Sequence, residues 1–141
     1  MSFIQTIKSY NPTFWVANFL QIIERGAWFG VFSLLGLYLV ASTDEGGLGL
    51  SHIQKGNILA NVTAIQFFLP LFFGVIADRI GYKLSLIIAF VIIGVGYYLM
   101  GTVDSYWAIY LAFLFAAMGG SFFKPVASGI IDRKSTRLNS R

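Results

Sequence analysis

Four long apolar runs, each near the length needed to cross a bilayer, constrain this chain more than any other feature. Lipid offers no hydrogen-bond partners, so a run of about 20 mostly apolar residues is read as a spanning helix. The first run extends from about Phe14 to Val40 and is interrupted by Glu24 and Arg25. The second extends from about Ile58 to Ala77, with Pro70 inside it. Ser51-His52-Ile53-Gln54 has the form of a capping box, which starts that helix at residue 51. The third runs from about Leu84 to Gly101 without a charge. The fourth runs from about Tyr106 to Ile131, with Lys124 and Pro125 near its end.

Composition agrees. Of 141 residues, 57% are hydrophobic and 11% charged, against about 25% charged in a soluble domain. A small soluble domain could not hide that much apolar side chain. The expected class is an all-α integral membrane protein, and the composition argues against a soluble enzyme. The absence of Cys removes disulfides, thiolate zinc sites and a Cys nucleophile. The single His, His52, stands at a loop or helix start, where a solvated or capping role suits it. No metal, organic cofactor or catalytic residue is expected. The net charge of +4 is no nucleic-acid footprint, because the basic residues fall between the apolar runs.

The connections are short. Ser42 to Leu50 is polar and Gly-rich and reads as a flexible loop. Asp78 to Lys83 is a very short basic turn, and Thr102 to Ser105 is shorter still. Such links predict an up-down-up-down bundle of antiparallel neighbours. One side carries Lys8, Arg79, Lys83, Arg133, Lys134, Arg137 and Arg141, and the other carries Lys55. The positive-inside rule then places both termini in the cytoplasm of a multi-pass protein in the plasma (inner) membrane. Tyr106 and Trp107 fit an outer aromatic belt, with Tyr97 and Tyr98 fitting it less well. Phe3, Ile4 and Ile7 around Lys8 have the pattern of a short interfacial helix or of a frayed start, and no cleavable secretory signal is legible. Residues 132–141, DRKSTRLNSR, form an abruptly polar tail. They have the character either of a cytoplasmic tail or of translated adapter sequence that is not native.

A charge at the bilayer centre costs at least about 2.5–3.5 kcal/mol on insertion scales, so Glu24, Arg25 and Lys124 are functional candidates. The alternative is a structural ion pair that fixes helix packing. Gln21, Glu24 and Arg25 stand at i, i+3 and i+4 and share a face that Trp28 and Phe32 continue. Arg can grip a carboxylate, Glu can take and release a proton, and the rings can wall off a substrate side chain. Ordinary packing explains Trp28 and Phe32 as well. Gly26-x-x-x-Gly30 is expected to let another helix approach, and Gly119-Gly120 either does the same or gives a substrate room. Pro70 and Pro125 are expected to bend their helices.

The segment Gly74-Val-Ile-Ala77-Asp78-Arg79-Ile-Gly81-Tyr82-Lys83-Leu-Ser-Leu86 resembles the G-x-L-A-D-R-x-G-R-K-x-x-L signature of the major facilitator superfamily. Val75-Ile76 and Tyr82 are its variants here. The resemblance implies that Gly74, Asp78, Arg79, Gly81 and Lys83 form a cytoplasmic turn that latches one conformation against the second half of a transporter. It also implies the first four helices of the N-terminal six-helix bundle.

Two further stretches are similar to one branch, the proton-dependent oligopeptide transporters. Gln21-Ile-Ile-Glu24-Arg25-Gly26-Ala27-Trp28-Phe29-Gly30 resembles their E-x-x-E-R-F-x-Y-Y-G motif, and Gly120-Ser-Phe-Phe-Lys124-Pro125 resembles their G-x-x-x-K-P stretch. The resemblance implies proton-coupled symport of di- and tripeptides through a central cavity by alternating access. Gln21, Glu24, Arg25, Trp28, Phe32 and Lys124 would bind substrate or couple protons. Three departures stand out: Gln21 replaces an acid, Gly26 an aromatic, and Trp28 and Phe29 two tyrosines. Gln21 cannot carry a proton, which leaves Glu24 one turn away as the group that can. The departures keep open a transporter of another small solute, such as amino acids. A non-transporting four-helix assembly module is the third reading. Expected partners are a small-molecule substrate, the lipid bilayer and a missing C-terminal half.

Overall fold

The computed structural model describes Tyr10 and residues 12–139, with side chains as far as Ile131. The described residues are helical and contain no strand. Helix α1 is Pro12–Tyr38, α2 is His52–Phe68, α3 is Pro70–Ile80, α4 is Tyr82–Met100 and α5 is Tyr106–Asn139. Phe3, Ile4, Ile7 and Lys8, and the side chains of Arg133, Lys134, Arg137 and Arg141, lie outside what is described. Arg79 and Lys83 stand exposed at one end of the bundle, and Lys55 lies in the first turn of α2 at the other.

Two helices are long and apolar enough to cross a membrane alone, α4 and the Tyr106–Ile131 part of α5. The expected second span is two helices, α2 and α3, bent by 44° at Leu69 and passing the same test only as a pair. Pro70 causes the break: it sits at the first position of α3 and has no N–H for the carbonyl of Gln66. The 27 residues of α1 extend about 40 Å, ample for a bilayer. Its polar residues keep it short of the apolar threshold the others meet. At Pro125 no break occurs, and α5 continues past Ile131 to Asn139. The expected end at residue 131 is not where the helix stops, because no Gly or Pro follows and Arg, Lys and Leu all favour helix.

The loop between α1 and α2 is an ordered return. A 3-10 turn at Thr43–Glu45 closes at Gly46, whose φ is +80°. Leu48 and Leu50 then donate their N–H groups to the carbonyls of Tyr38 and Leu39 at 3.0 and 2.8 Å. These bonds satisfy carbonyls that the end of a helix leaves without partners. The capping box forms as expected: Gln54 N–H donates to Ser51 Oγ at 3.2 Å, and Ser51 N–H to Gln54 Oε1 at 3.0 Å.

Packing centres on α5. Each other helix has its principal contact there, its sequence neighbour α4 most extensively, while α1, α2 and α3 pack on α5 more than on one another. Small residues make the α4–α5 seam. A Cβ on Gly96 would lie 2.6 Å from the backbone of Ala116, and one on Gly119 would lie 2.8 Å from the backbone nitrogen of Ile93. Gly26 and Gly30 do not seat a helix, since open space lies where their Cβ atoms would be. They face away from α5, whereas Glu24 and Trp28 face it.

Two apolar clusters form the core. One joins Trp28, Leu35, Ile58, Val62, Phe113 and their neighbours. The other joins Ala89, Ile93, Phe122, Phe123 and Ala127, with Leu20 and Phe73 against them. In α1, in the α2–α3 pair and in α5, the buried polar residues Glu24, Gln66 and Ser121 fall between the two clusters along the chain. The bundle thus has a polar layer at mid-depth. Large apolar side chains such as Ile22, Leu71, Phe72, Val91 and Tyr98 cover the outside, as a lipid-facing surface requires.

Candidate functional site

The polar layer opens into a pocket of about 170 Å³ lined by Arg25, Trp28, Phe29, Phe32, Thr63, Gln66, Phe67 and Lys124. Three helices contribute. The i, i+3, i+4, i+7 spacing on α1 turns Arg25, Trp28 and Phe32 toward it, as the stripe in the sequence predicts. Gln21, the first member of that stripe, is half-buried and does not line it.

Glu24 lies behind the lining, only 5% exposed. Its Oε2 is 3.4 Å from Arg25 Nε, the one ion pair among the described residues. That separation is long for a charge-assisted hydrogen bond, and Oε2 has no hydrogen-bond partner. Lys124, on α5, holds its Nζ 5.0 Å from the centre of the Phe67 ring, within the range of a cation–π contact. It lines the pocket together with Arg25 and forms no ion pair with Glu24.

The aromatic wall is also part of the core. Trp28 stacks on Phe113 with centroids 5.3 Å apart and planes 18° apart. Phe32 lies 6.3 Å from Trp28 and 6.4 Å from Phe113. Packing and pocket lining are therefore one arrangement at these residues.

Three lining residues escaped the sequence reading, Thr63, Gln66 and Phe67, and a fourth, Phe29, was noted there as a motif position and not as a site residue. Thr63 Oγ1 and Gln66 Nε2 are buried without a hydrogen-bond partner. Their signal was present as an amide and a hydroxyl inside an apolar run, which is costly in lipid unless each finds a hydrogen-bond partner. Gly120 completes the site. A Cβ there would lie 3.3 Å from Gln66 Nε2 and 3.4 Å from Glu24 Oε1. Of the two uses open to Gly119-Gly120, Gly119 serves close packing and Gly120 leaves room beside the polar layer. A larger groove of about 310 Å³ between α1 and α4, lined by Val31, Leu34, Leu35, Tyr38, Tyr97, Met100 and Gly101, carries no charged side chain.

The signature turn is tighter than expected. Gly81 alone separates α3 from α4, with φ at +89°. It donates its N–H to Ala77 O at 2.9 Å and accepts from Ser85 Oγ at 2.8 Å. Asp78 and Arg79 therefore end α3, while Lys83 begins α4. Asp78 accepts a 2.6 Å bond from the Tyr82 hydroxyl and has no basic partner among the described residues. Gly74 lies at the α3–α5 contact, where its Cβ would be 3.6 Å from Pro125.

Comparison with known proteins places this arrangement. Residues 15–137 match the family described as Major Facilitator Superfamily. The chain is 28% identical over 131 residues to "Multidrug resistance protein MdtH" of Sodalis glossinidius, covering 93% of this chain and 31% of that protein. It is 30% identical over 104 residues to the protein of that name from Proteus mirabilis, covering 74% and 25%. It is 28% identical over 141 residues to that of Yersinia enterocolitica, covering 100% and 33%. The chain thus spans about a third or less of the length of these relatives. No solved structure matches it. The family match covers most of the chain and falls on an all-helical membrane bundle, so this chain belongs to the Major Facilitator Superfamily.

Proposed function

We propose that the full-length protein exports amphipathic, drug-like small molecules that carry a carboxylate, and that the pocket between α1, α2 and α5 is part of their path. The observation that carries this reading is that Arg25 and Lys124 open onto one aromatic-walled pocket. Two cations there suit an anionic end, and Trp28, Phe29, Phe32 and Phe67 suit an apolar one. The relatives named for multidrug resistance support the drug-like class. The pocket is smaller than the roughly 300–1,000 Å³ typical of a drug-sized site, as befits one side of a cavity shared with a second half. The basic residues near α3 and α4 support an inner-membrane orientation with cytoplasmic termini, and the Gly81 turn is proposed as the conformational latch.

A second reading keeps the oligopeptide resemblance: symport of short peptides with protons. The buried Glu24 beside Arg25 favours it, as a group able to exchange a proton while a peptide carboxylate occupies Arg25 or Lys124.

The test uses full-length protein in proteoliposomes and radiolabelled N-benzoylglycine, an aromatic carboxylate. Saturable transport that Arg25→Ala and Lys124→Ala abolish, with protein still in the membrane, supports the reading. No transport, or transport unchanged in both variants, overturns it. Competition by dialanine but not by lipophilic drug carboxylates would replace it with the peptide reading.

A further inference from the structure

Lys124 carries a charge into the bundle, and its surroundings offer it two kinds of partner. The first is an acid. Gly120 lies one turn before Lys124 on α5, so the two share a face. Side chains on a helix lean toward its N-terminus, which directs the Lys124 stem back along that face. Glu24 Oε1 stands 3.4 Å from the point where a Cβ on Gly120 would be, so the acid lies on the course the lysine would take. The two groups are within range of each other's charge. Glu24 Oε2 has no hydrogen-bond partner and only a 3.4 Å contact with Arg25 Nε. Inside a membrane, a flexible cation and an acid with spare capacity ordinarily pair.

Here they do not. Lys124 Nζ stands 5.0 Å from the centre of the Phe67 ring, and it makes no ion pair among the described residues. The two kinds of partner differ in what they leave over. A carboxylate cancels the charge of the ammonium and takes up its donors. The face of an aromatic ring attracts the charge without cancelling it, and leaves N–H donors for a further acceptor. Phe67 and Lys124 both line the pocket with Arg25, so the uncancelled charge stays at the pocket wall. Packing does not account for Phe67. Its side chain is 71% exposed and belongs to neither apolar cluster.

We propose that Phe67 is a positioning residue: its ring holds the Lys124 ammonium at the pocket and away from Glu24, ready for the carboxylate of a solute. This rests on the reading of the pocket as a path for carboxylate solutes. Phe67 acts through Lys124, so its loss weakens recognition of the negative charge in particular. In its absence Lys124 closes on Glu24, and the pocket keeps one free cation instead of two.

The test compares N-benzoylglycine with N-benzoylglycinamide, which replaces the carboxylate by a neutral carboxamide. Full-length protein in nanodiscs is titrated with each, and the ratio of the two affinities is the readout. The unaltered protein is expected to prefer the anion. Phe67→Leu keeps an apolar side chain and removes the ring, and should cut that preference about fivefold, a cation–π contact of about 1 kcal/mol. A ring that only walls the pocket would weaken both compounds alike and leave the ratio unmoved. Phe67→Tyr keeps the ring face and should restore most of the preference. In a Glu24→Gln background Lys124 has no acid to close on, so adding Phe67→Leu should change the ratio less than about twofold. Phe67→Met carries the same comparison if the Leu variant does not fold. An unmoved ratio in Phe67→Leu, a Tyr variant that behaves like Leu, or a loss as large in the Glu24→Gln background overturns the positioning role and leaves the carboxylate path standing. No binding of N-benzoylglycine, or no preference for it by the unaltered protein, overturns the carboxylate path itself, and the role of Phe67 with it.

Discussion

The Ser121 hydroxyl of α5 shares its one proton between two main-chain carbonyls, that of Ala117 in its own helix at 2.8 Å and that of Gln66 in α2 at 3.1 Å. The Gln66 carbonyl would normally accept from the N–H of residue 70, and residue 70 is proline. A side chain fifty-five positions away thus satisfies a backbone group that the bend at Leu69 sets free. In a bilayer no water is at hand for that task. The bend and the interhelical bond are one device, and it holds the polar layer in register.

Ser121→Ala is therefore expected to destabilise the folded protein by about 1–2 kcal/mol, since it leaves a buried carbonyl orphaned. Pro70→Ala returns a donor to that carbonyl. In the Pro70→Ala background the cost of Ser121→Ala should shrink. Thermal melts of the four proteins in a double-mutant cycle read the coupling. Additive effects would show that the two residues act separately.

The α4–α5 seam predicts a sharp contrast between neighbouring glycines. Gly96→Ala pushes a Cβ to 2.6 Å from Ala116 backbone atoms, and overpacking of this kind costs about 1–3 kcal/mol. Gly94 has nothing within 4 Å of its missing Cβ. Gly94→Ala should be neutral or stabilising by up to about 1 kcal/mol through helix propensity. Melting midpoints in detergent, measured side by side, decide the matter.

Gly81 adopts φ +89° and ψ 145°, a region almost closed to residues with a Cβ. Gly81→Ala should cost about 1–3 kcal/mol and loosen the α3–α4 turn. Tyr82→Phe removes the hydroxyl that bonds exposed Asp78 and should cost about 1 kcal/mol. If the turn latches a conformation, Gly81→Ala lowers transport more than its loss of folded protein explains. Transport per folded molecule, set against the melting curve, separates the two effects.

Glu24→Gln keeps the shape of a buried side chain and removes its charge. The ion pair with Arg25 at 3.4 Å is then lost. Arg25 is freed toward the pocket, so binding of a carboxylate solute is expected to strengthen by several-fold, a shift of about 1 kcal/mol. Counter-transport of protons, followed by a pH dye inside proteoliposomes, should fall if Glu24 is the coupling group. Unchanged proton movement would remove that role from Glu24.

Much of the site was legible before any coordinates. Charges inside an apolar run stand out wherever the helix lies, so Glu24, Arg25 and Lys124 could be named directly. The spacing that groups Arg25, Trp28 and Phe32 is a local property of one helix, and the pocket uses it. Gln66 and Thr63 were passed over because an amide or hydroxyl in a long apolar run is common enough to hide. What gives them meaning is the pocket they line together with Arg25 and Lys124, which lie on other helices.

The sequence by itself determined that this chain inserts as apolar helices, where two of them begin and break, and which charges they carry into the membrane. Apolar length, caps and prolines act within a few residues of themselves, so order along the chain reveals them. Only the tertiary structure decided that α5 is the hub, that Gly26 and Gly30 stay open while Gly96 and Gly119 close on a neighbour, and that Glu24 and Gln66 meet beside Gly120. Those outcomes depend on which small residues from distant segments allow two backbones to touch, a relation between helices that the order of residues along one helix does not contain.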